Sequence, residues 1–169
     1  MHTNDPRLAN LAGAWSLAVA DAMREATEGA TGYGGTVPAA LVTLEAYPGR
    51  SAEDLRAALG LSQPGVVRLV DRLAAEGWLE RRREGRALAL VLTAAGRRVA
   101  RRLLAERGGA LDRLLEPLGA GEREQLEGLL GKLLEARSSG RGELERLCRL
   151  CRRETCSSCP VARGAGEAD

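Results

Sequence analysis

The chain has 169 residues, with 25 Lys and Arg against 23 Asp and Glu and a formal net charge of +2. That length suits one domain with a real core, and so small a net charge is uninformative about partners, because local clustering sets an electrostatic footprint. No stretch is apolar and long enough to span a membrane, and MHTNDPRLAN lacks the regions of a signal peptide, so a cytoplasmic protein with no membrane partner is expected.

Residues 1–5 read as a loose tail, and His2, the only histidine, sits there with no expected role. A long helix starts at Pro6, with Leu8, Leu11, Ala12, Trp15, Val19, Ala22 and Met23 as its buried stripe. Trp15 reads as a core residue rather than the wall of a ligand pocket. Residues Glu28 to Gly35 form a Gly-rich connection. No strand precedes it and no Lys-Ser or Lys-Thr follows, so it is not a phosphate-binding loop. Val37 to Tyr47 read as a second helix with Ala40, Leu41 and Leu44 facing inward, broken by Pro48-Gly49.

The stretch from Ser51 to Thr93 is the most informative. Ser51-x-x-Asp54 is a capping box, Leu55, Ala58 and Leu59 share one face, and Gly60 ends the helix. Ser62 or Gln63 caps the next helix, and Pro64 fits its first turn, where no backbone N–H is needed. Val66, Leu69, Val70 and Leu73 repeat at i, i+3, i+4, i+7, which leaves Gly65, Arg68 and Arg72 on the other face. Gly77 stops the helix. Then the period changes to two, with Leu88, Leu90 and Leu92 alternating. Arg81-Arg82-Arg83-Glu84-Gly85-Arg86 lies between two short strands, as a basic β-hairpin. The conjunction predicts a winged helix-turn-helix. Its second helix presents its first turn to base edges, and its hairpin arginines reach phosphates or the minor groove.

Thr93 caps a long helix to about Leu115, with Val99, Leu103, Leu104, Leu111, Leu114 and Leu115 apolar and a bend expected at Gly108-Gly109. A further helix over Glu122 to Ala136 carries Leu126, Leu129, Leu130, Leu133 and Leu134. These leucines exceed what a small winged module needs for its core, so a two-fold homodimer is expected. Residues 1–136 then form the DNA-binding and dimerisation domain, and 137–169 a Cys-rich extension. All four cysteines lie in that extension, as Cys148-x2-Cys151-x4-Cys156-x2-Cys159. Two such pairs can surround one tetrahedral ion, so zinc is the leading expectation. An iron–sulfur cluster and a thiol–disulfide switch stay open, although the internal spacing is wrong for ferredoxin-type ligation.

LGLSQPGVVRLVDRLAAEGWLERR followed by GRALALVLTAAG resembles the MarR family (multiple antibiotic resistance regulators), over about residues 6–136. The resemblance implies a mainly α winged-helix fold with long N- and C-terminal dimerisation helices. It also implies a homodimer, a pseudo-palindromic double-stranded DNA operator and a small-molecule inducer. Ser62, Gln63, Pro64 and Arg68 match the family's base-contacting positions, and Arg83 and Arg86 its wing arginines. The family usually has an Asp two residues before the first wing arginine, as a brace. Arg81 stands there instead, so the wing is held differently or is looser and more basic.

The sequence thus points to a sequence-specific transcriptional regulator, a repressor in the first reading. Its expected DNA-binding set is Ser62, Gln63, Pro64, Gly65, Arg68, Arg72, Arg83 and Arg86, and its expected metal set is Cys148, Cys151, Cys156 and Cys159. Two other readings stand beside it: a protein-interaction adaptor with a structural zinc tail, and an iron–sulfur or thiol redox protein. No Ser/His/Asp set and no usable histidine point to catalysis, so an enzyme is not expected.

Overall fold

A computed structural model describes residues 5–166, apart from Arg86 and Ser157. The helices are α1 (Pro6–Thr31), α2 (Thr36–Ala46), α3 (Ala52–Leu59), α4 (Gln63–Ala75), α5 (Ala94–Leu115), α6 (Ala120–Arg137), α7 (Arg141–Leu147) and α8 (Pro160–Gly164). Strands β1 (Leu79–Glu84) and β2 (Ala87–Leu92) separate α4 from α5, and a single 3₁₀ turn (Arg153–Thr155) precedes α8.

Local chemistry sets most of these boundaries. The Ser51 hydroxyl accepts from the Asp54 N–H at 3.1 Å, and the Asp54 carboxylate accepts from the Ser51 N–H at 2.9 Å. The Ser51 hydroxyl also donates to the Asp54 carboxylate at 2.7 Å, and that bond, with the one from the Ser51 N–H, holds the Asp54 carboxyl below its ordinary range. Ser62 caps α4 by accepting from the Gly65 N–H, and Thr93 caps α5 by accepting from the Gly96 N–H. At α1 the cap is Asp5, whose carboxylate accepts from the Arg7 and Leu8 N–H groups.

The core is where α2, α3, α4 and the hairpin meet. Ala40, Leu41 and Leu44 of α2 and Leu55 of α3 pack with the α4 stripe, Val66, Leu69, Val70 and Leu73. Leu79, Leu90 and Leu92 close it from the hairpin. β1 and β2 are antiparallel, in register from Leu79 opposite Leu92 to Glu84 opposite Ala87. A third segment joins them. The Leu90 N–H donates to the Arg50 carbonyl at 2.8 Å, and the Gly49 N–H donates to the Leu90 carbonyl at 3.1 Å. The connection before α3 therefore pairs with the outer edge of β2. Leu88, expected to alternate inward with Leu90 and Leu92, is exposed.

The start of α5 is pinned to the end of α4. Thr93 donates its N–H to the Trp78 carbonyl at 3.0 Å and its hydroxyl to the Gly77 carbonyl at 2.7 Å. A Cβ at Gly96 would overlap the Trp78 carbonyl. Beyond this point α5 continues unbroken through Gly108-Gly109, where a bend was expected.

One expectation about burial needs correction, that for α1; the exposure of α6 agrees with its leucines being surplus to the core. In α1, Leu8, Leu11, Ala12 and Trp15 lie on the surface of the chain, Leu11 at 57% and Trp15 at 40% exposure, and only Val19, Ala22 and Met23 are partly covered. In α6 no residue is buried, and Leu133 is 67% exposed. Periodicity identified both stripes correctly, but the single chain supplies nothing to cover them.

Gly96→Ala should lower stability by about 1–3 kcal/mol in urea unfolding, the range for forcing a methyl into a filled space. Since the colliding atom is a backbone carbonyl that β1 and α5 both fix, a loss under ~0.5 kcal/mol would show that this junction is looser than described.

Candidate nucleic-acid interface

Burying Val66, Leu69, Val70 and Leu73 turns the opposite face of α4 to solvent. Ser62, Gln63, Pro64, Arg68 and Arg72 are all exposed there, and Gly65 is partly covered. Ser62 is committed to its cap, so its hydroxyl already accepts one hydrogen bond. A Cβ at Gly65 would stand 3.1 Å from the Ser62 hydroxyl oxygen, so glycine leaves that cap room. Arg72 is drawn inward, its guanidinium carbon 5.4 Å from the Tyr33 ring centroid. Arg68 carries no ion pair among the described residues.

Val67 was not singled out in the sequence. It is exposed at 47%, one position off the buried stripe and beside Arg68. Its signal was available, since an apolar residue outside the i, i+3, i+4 pattern of a capped helix has to face outward.

The first strand runs further, and the turn comes later, than the arginine run suggested. Arg81, Arg82 and Arg83 belong to β1 itself, paired with Leu90, Ala89 and Leu88. All three are exposed. Arg82 faces Glu80 at 3.4 Å, whereas Arg83 has no ion pair among the described residues. Arg86, the other expected wing arginine, lies outside the described residues. Arg81 forms a salt bridge to Asp71 of α4. The wing is thus held differently from the family's usual way: an arginine on the strand reaches an acid on the helix.

The cysteine tail is folded against this assembly. Glu145 of α7 forms an ion pair with Arg50 at 2.9 Å, with side chains only 17% and 15% exposed. Arg153 donates to the Tyr47 hydroxyl and lies 4.7 Å from that ring's centroid, and Arg50 lies 4.3 Å from it. Leu150 packs on Ala30, Val42 and Leu103. Cys148 is buried with Leu144 and Val161, and Cys151 and Cys159 pack against that group. Among the described residues no group of three Cys, His, Asp or Glu side chains is placed to hold a metal ion. The hydrogen bond from Cys148, helped by Arg107 and Arg153, pulls the Cys151 thiol down to about 6, while the same contact and burial push Cys148 up.

An exposed helix N-terminus beside an arginine-bearing hairpin, both seated on a two-helix base, defines a winged helix-turn-helix protein. Residues 31–87 match the MarR family. Over 110 residues the chain is 36% identical to the transcriptional repressor MprA of Escherichia coli (strain K12), a stretch that makes up 62% of this chain and 62% of that repressor. The match thus spans just under two-thirds of the relative's length. Among solved structures the chain is similar to Rv1404 of Mycobacterium tuberculosis, at 25% identity and TM-score 0.68 over 81% of this chain and 96% of that one. It is also similar to the M. tuberculosis MarR family protein Rv2887 in complex with salicylic acid, at 26% identity and TM-score 0.54 over 72% of this chain and 94% of that one. A complex of Rv2887 with DNA shares the fold at 23% identity and TM-score 0.57, over 72% and 95%. The MarR family match thus falls on the helix-turn-helix and most of the hairpin, residues 31–87, and the relative MprA is a transcriptional repressor.

Asp71→Ala should free the wing without unfolding the domain. The pair is largely exposed, so a double-mutant cycle with Arg81→Ala is expected to give a coupling of about 0.2–1 kcal/mol. Amide exchange in β1 and β2 should quicken while the α4 amides stay protected; equal quickening in both would mean that Asp71 supports the helix rather than the wing.

Proposed function

We propose that the protein is a homodimeric, sequence-specific DNA-binding regulator that acts as a repressor. The observation that carries this reading is the solvent-facing first turn of α4, set beside the arginines of β1. In this reading Gln63, Pro64, Val67 and Arg68 address the major groove, where an arginine fork matches guanine and an apolar side chain meets the thymine methyl. Arg83 and Arg86 reach the backbone or minor groove from the wing. Ser62 and Gly65 keep the first turn in shape, and Arg72 adds positive charge at the flank. The Rv2887–DNA complex and the repressor MprA support this reading by likeness.

The dimer is read from the uncovered leucines. Trp15 of α1 and Leu129 of α6 line one groove with Leu114, Leu115 and Leu118. Leu8 and Leu11 continue the apolar face along α1, and Leu130, Leu133 and Leu134 extend it along α6. A second copy, offering the same face about a two-fold axis, would cover both and set two α4 helices at half-site spacing. An inducer then needs only to bind more tightly to a spacing that DNA does not fit. A small aromatic acid, the class held by the Rv2887 complex, suits such a role.

The test is selection of bound sequences from random duplexes, followed by salt titration of the winner. A pseudo-palindrome should emerge, and Arg83→Ala should weaken binding to all sequences alike and make the salt slope shallower by about 1. Arg68→Ala should cost about 1–3 kcal/mol and relax the preference at one base of each half-site. Enrichment of no sequence above background would sink the reading. Separately, Leu130→Asp with Leu133→Asp should give a folded monomer by sedimentation at micromolar concentration. An unchanged dimer would move the interface elsewhere.

A further inference from the structure

The tail touches the reading head and the end of α6 at once. On one side, Glu145 grips Arg50, whose carbonyl accepts from the Leu90 N–H of β2. On the other, α8 lies flush on the last turn of α6. A Cβ at Gly164 would overlap the Glu135 carbonyl, and Arg163 holds the Glu135 carboxylate at 3.0 Å. Between these two attachments sit the four cysteines. Cys148 is buried, Cys151 and Cys159 pack against the same cluster, and Cys156 stands three positions before Cys159. A sulfur tetrahedron needs four such thiols, each about 2.3 Å from the ion. Leu150, next to Cys151, packs on Leu103 of α5, one turn before Arg107, whose buried Nε has no hydrogen-bond partner among the described residues. A buried guanidinium nitrogen without a partner is costly, and it wants an anion.

We propose that Cys148, Cys151, Cys156 and Cys159 close around one thiophilic divalent cation of the zinc class, and that the loaded site latches the tail across the reading head and α6. Binding releases the remaining thiol protons to solvent and leaves four thiolates around a 2+ ion, a net charge of 2−. Arg107 and Arg153 face that charge, and the Arg107 Nε gains its acceptor. The ion draws the four cysteines into one closed shell, so α7 and α8 no longer move independently. Because α7 holds the strand that carries the wing and α8 holds the helix that carries the proposed dimer face, the latch fixes one relative to the other. The loaded protein is then pre-organised for two half-sites, and it binds DNA more tightly than the stripped protein. The DNA part of this inference rests on the function proposed above; the metal part does not.

The experiment uses the full chain, purified without oxygen, stripped by chelator and titrated with zinc alone. Cobalt is titrated in parallel as a spectroscopic probe. One zinc per chain, and the absorption of tetrahedral thiolate-bound cobalt, are expected. Both should be absent in the Cys148→Ser, Cys159→Ser double variant. Zinc should also slow proteolysis within residues 138–166. Binding to the selected duplex should be at least ten-fold tighter with zinc than without. Gly164→Leu separates the two parts: it keeps the ligands but lifts α8 from α6, so zinc should still bind while its effect on DNA affinity disappears. Failure to bind zinc stoichiometrically, or thiols recovered as two disulfides after anaerobic handling, overturns the metal site. Zinc binding with unchanged or weakened DNA affinity overturns the latch. If no duplex binds in any state, it is the regulator reading that fails, and zinc stoichiometry and protection from proteolysis still decide the metal site.

Discussion

Everything at the reading head depends on burying one stripe of α4. Val66, Leu69, Val70 and Leu73 are each at least 95% buried, against α2, Leu55 and the hairpin leucines. Each such side chain contributes about 1.5–3 kcal/mol relative to exposure, so rotating the helix out of this seat would cost a large share of a domain's usual stability of about 5–15 kcal/mol. The orientation of the outer face follows without further design. With the stripe fixed inward, Gln63, Pro64, Val67 and Arg68 have to point outward. The Ser62 cap then sets where the helix begins, and therefore which residues stand at its exposed N-terminus.

The same seat positions the wing. β2 supplies Leu90 and Leu92 to the core, and this fixes the register of β1 residue by residue. Arg81, Arg82 and Arg83 are carried along at set heights. The hairpin is therefore a rigid extension of the core up to Arg83 and Leu88. The pairing of Leu90 with Gly49 and Arg50 stiffens it from the other edge. That second edge also connects the wing to the tail, since the Arg50 side chain is held by Glu145.

Short-range signals made most of this legible in the sequence. The caps at Ser51, Ser62 and Thr93 and the stripe of α4 lie within a few residues of what they organise, and each holds in the structure. The arginine run misled about the turn, because Arg81 to Arg83 lack the apolar alternation that marks a strand. Their strand character comes from the leucines opposite. The stripe of α1 was read correctly as apolar and wrongly as buried in this chain, since a period says nothing about what covers it. What lay beyond reach was long-range: Glu145 meets Arg50 across 95 positions, and Arg153 meets Tyr47 across 106. No local pattern marks either partner, and so the tail reads as an appendage in sequence while it packs on the body in space.

The inverted brace between Arg81 and Asp71 has an electrostatic consequence. A family-type acid on the strand would sit beside the wing arginines and offset their charge. Here the acid is on α4 and the base is on β1, so Asp71 is neutralised by Arg81 and Arg83 is left with no ion pair among the described residues. The pair is too exposed to add much stability. Its effect is on direction and field. It ties the strand to the helix at one height, and it withdraws a negative charge from the outer surface of α4 that would otherwise repel a polyanion. A basic residue at position 81 thus ties β1 to α4 and leaves the wing more basic than an acid there would.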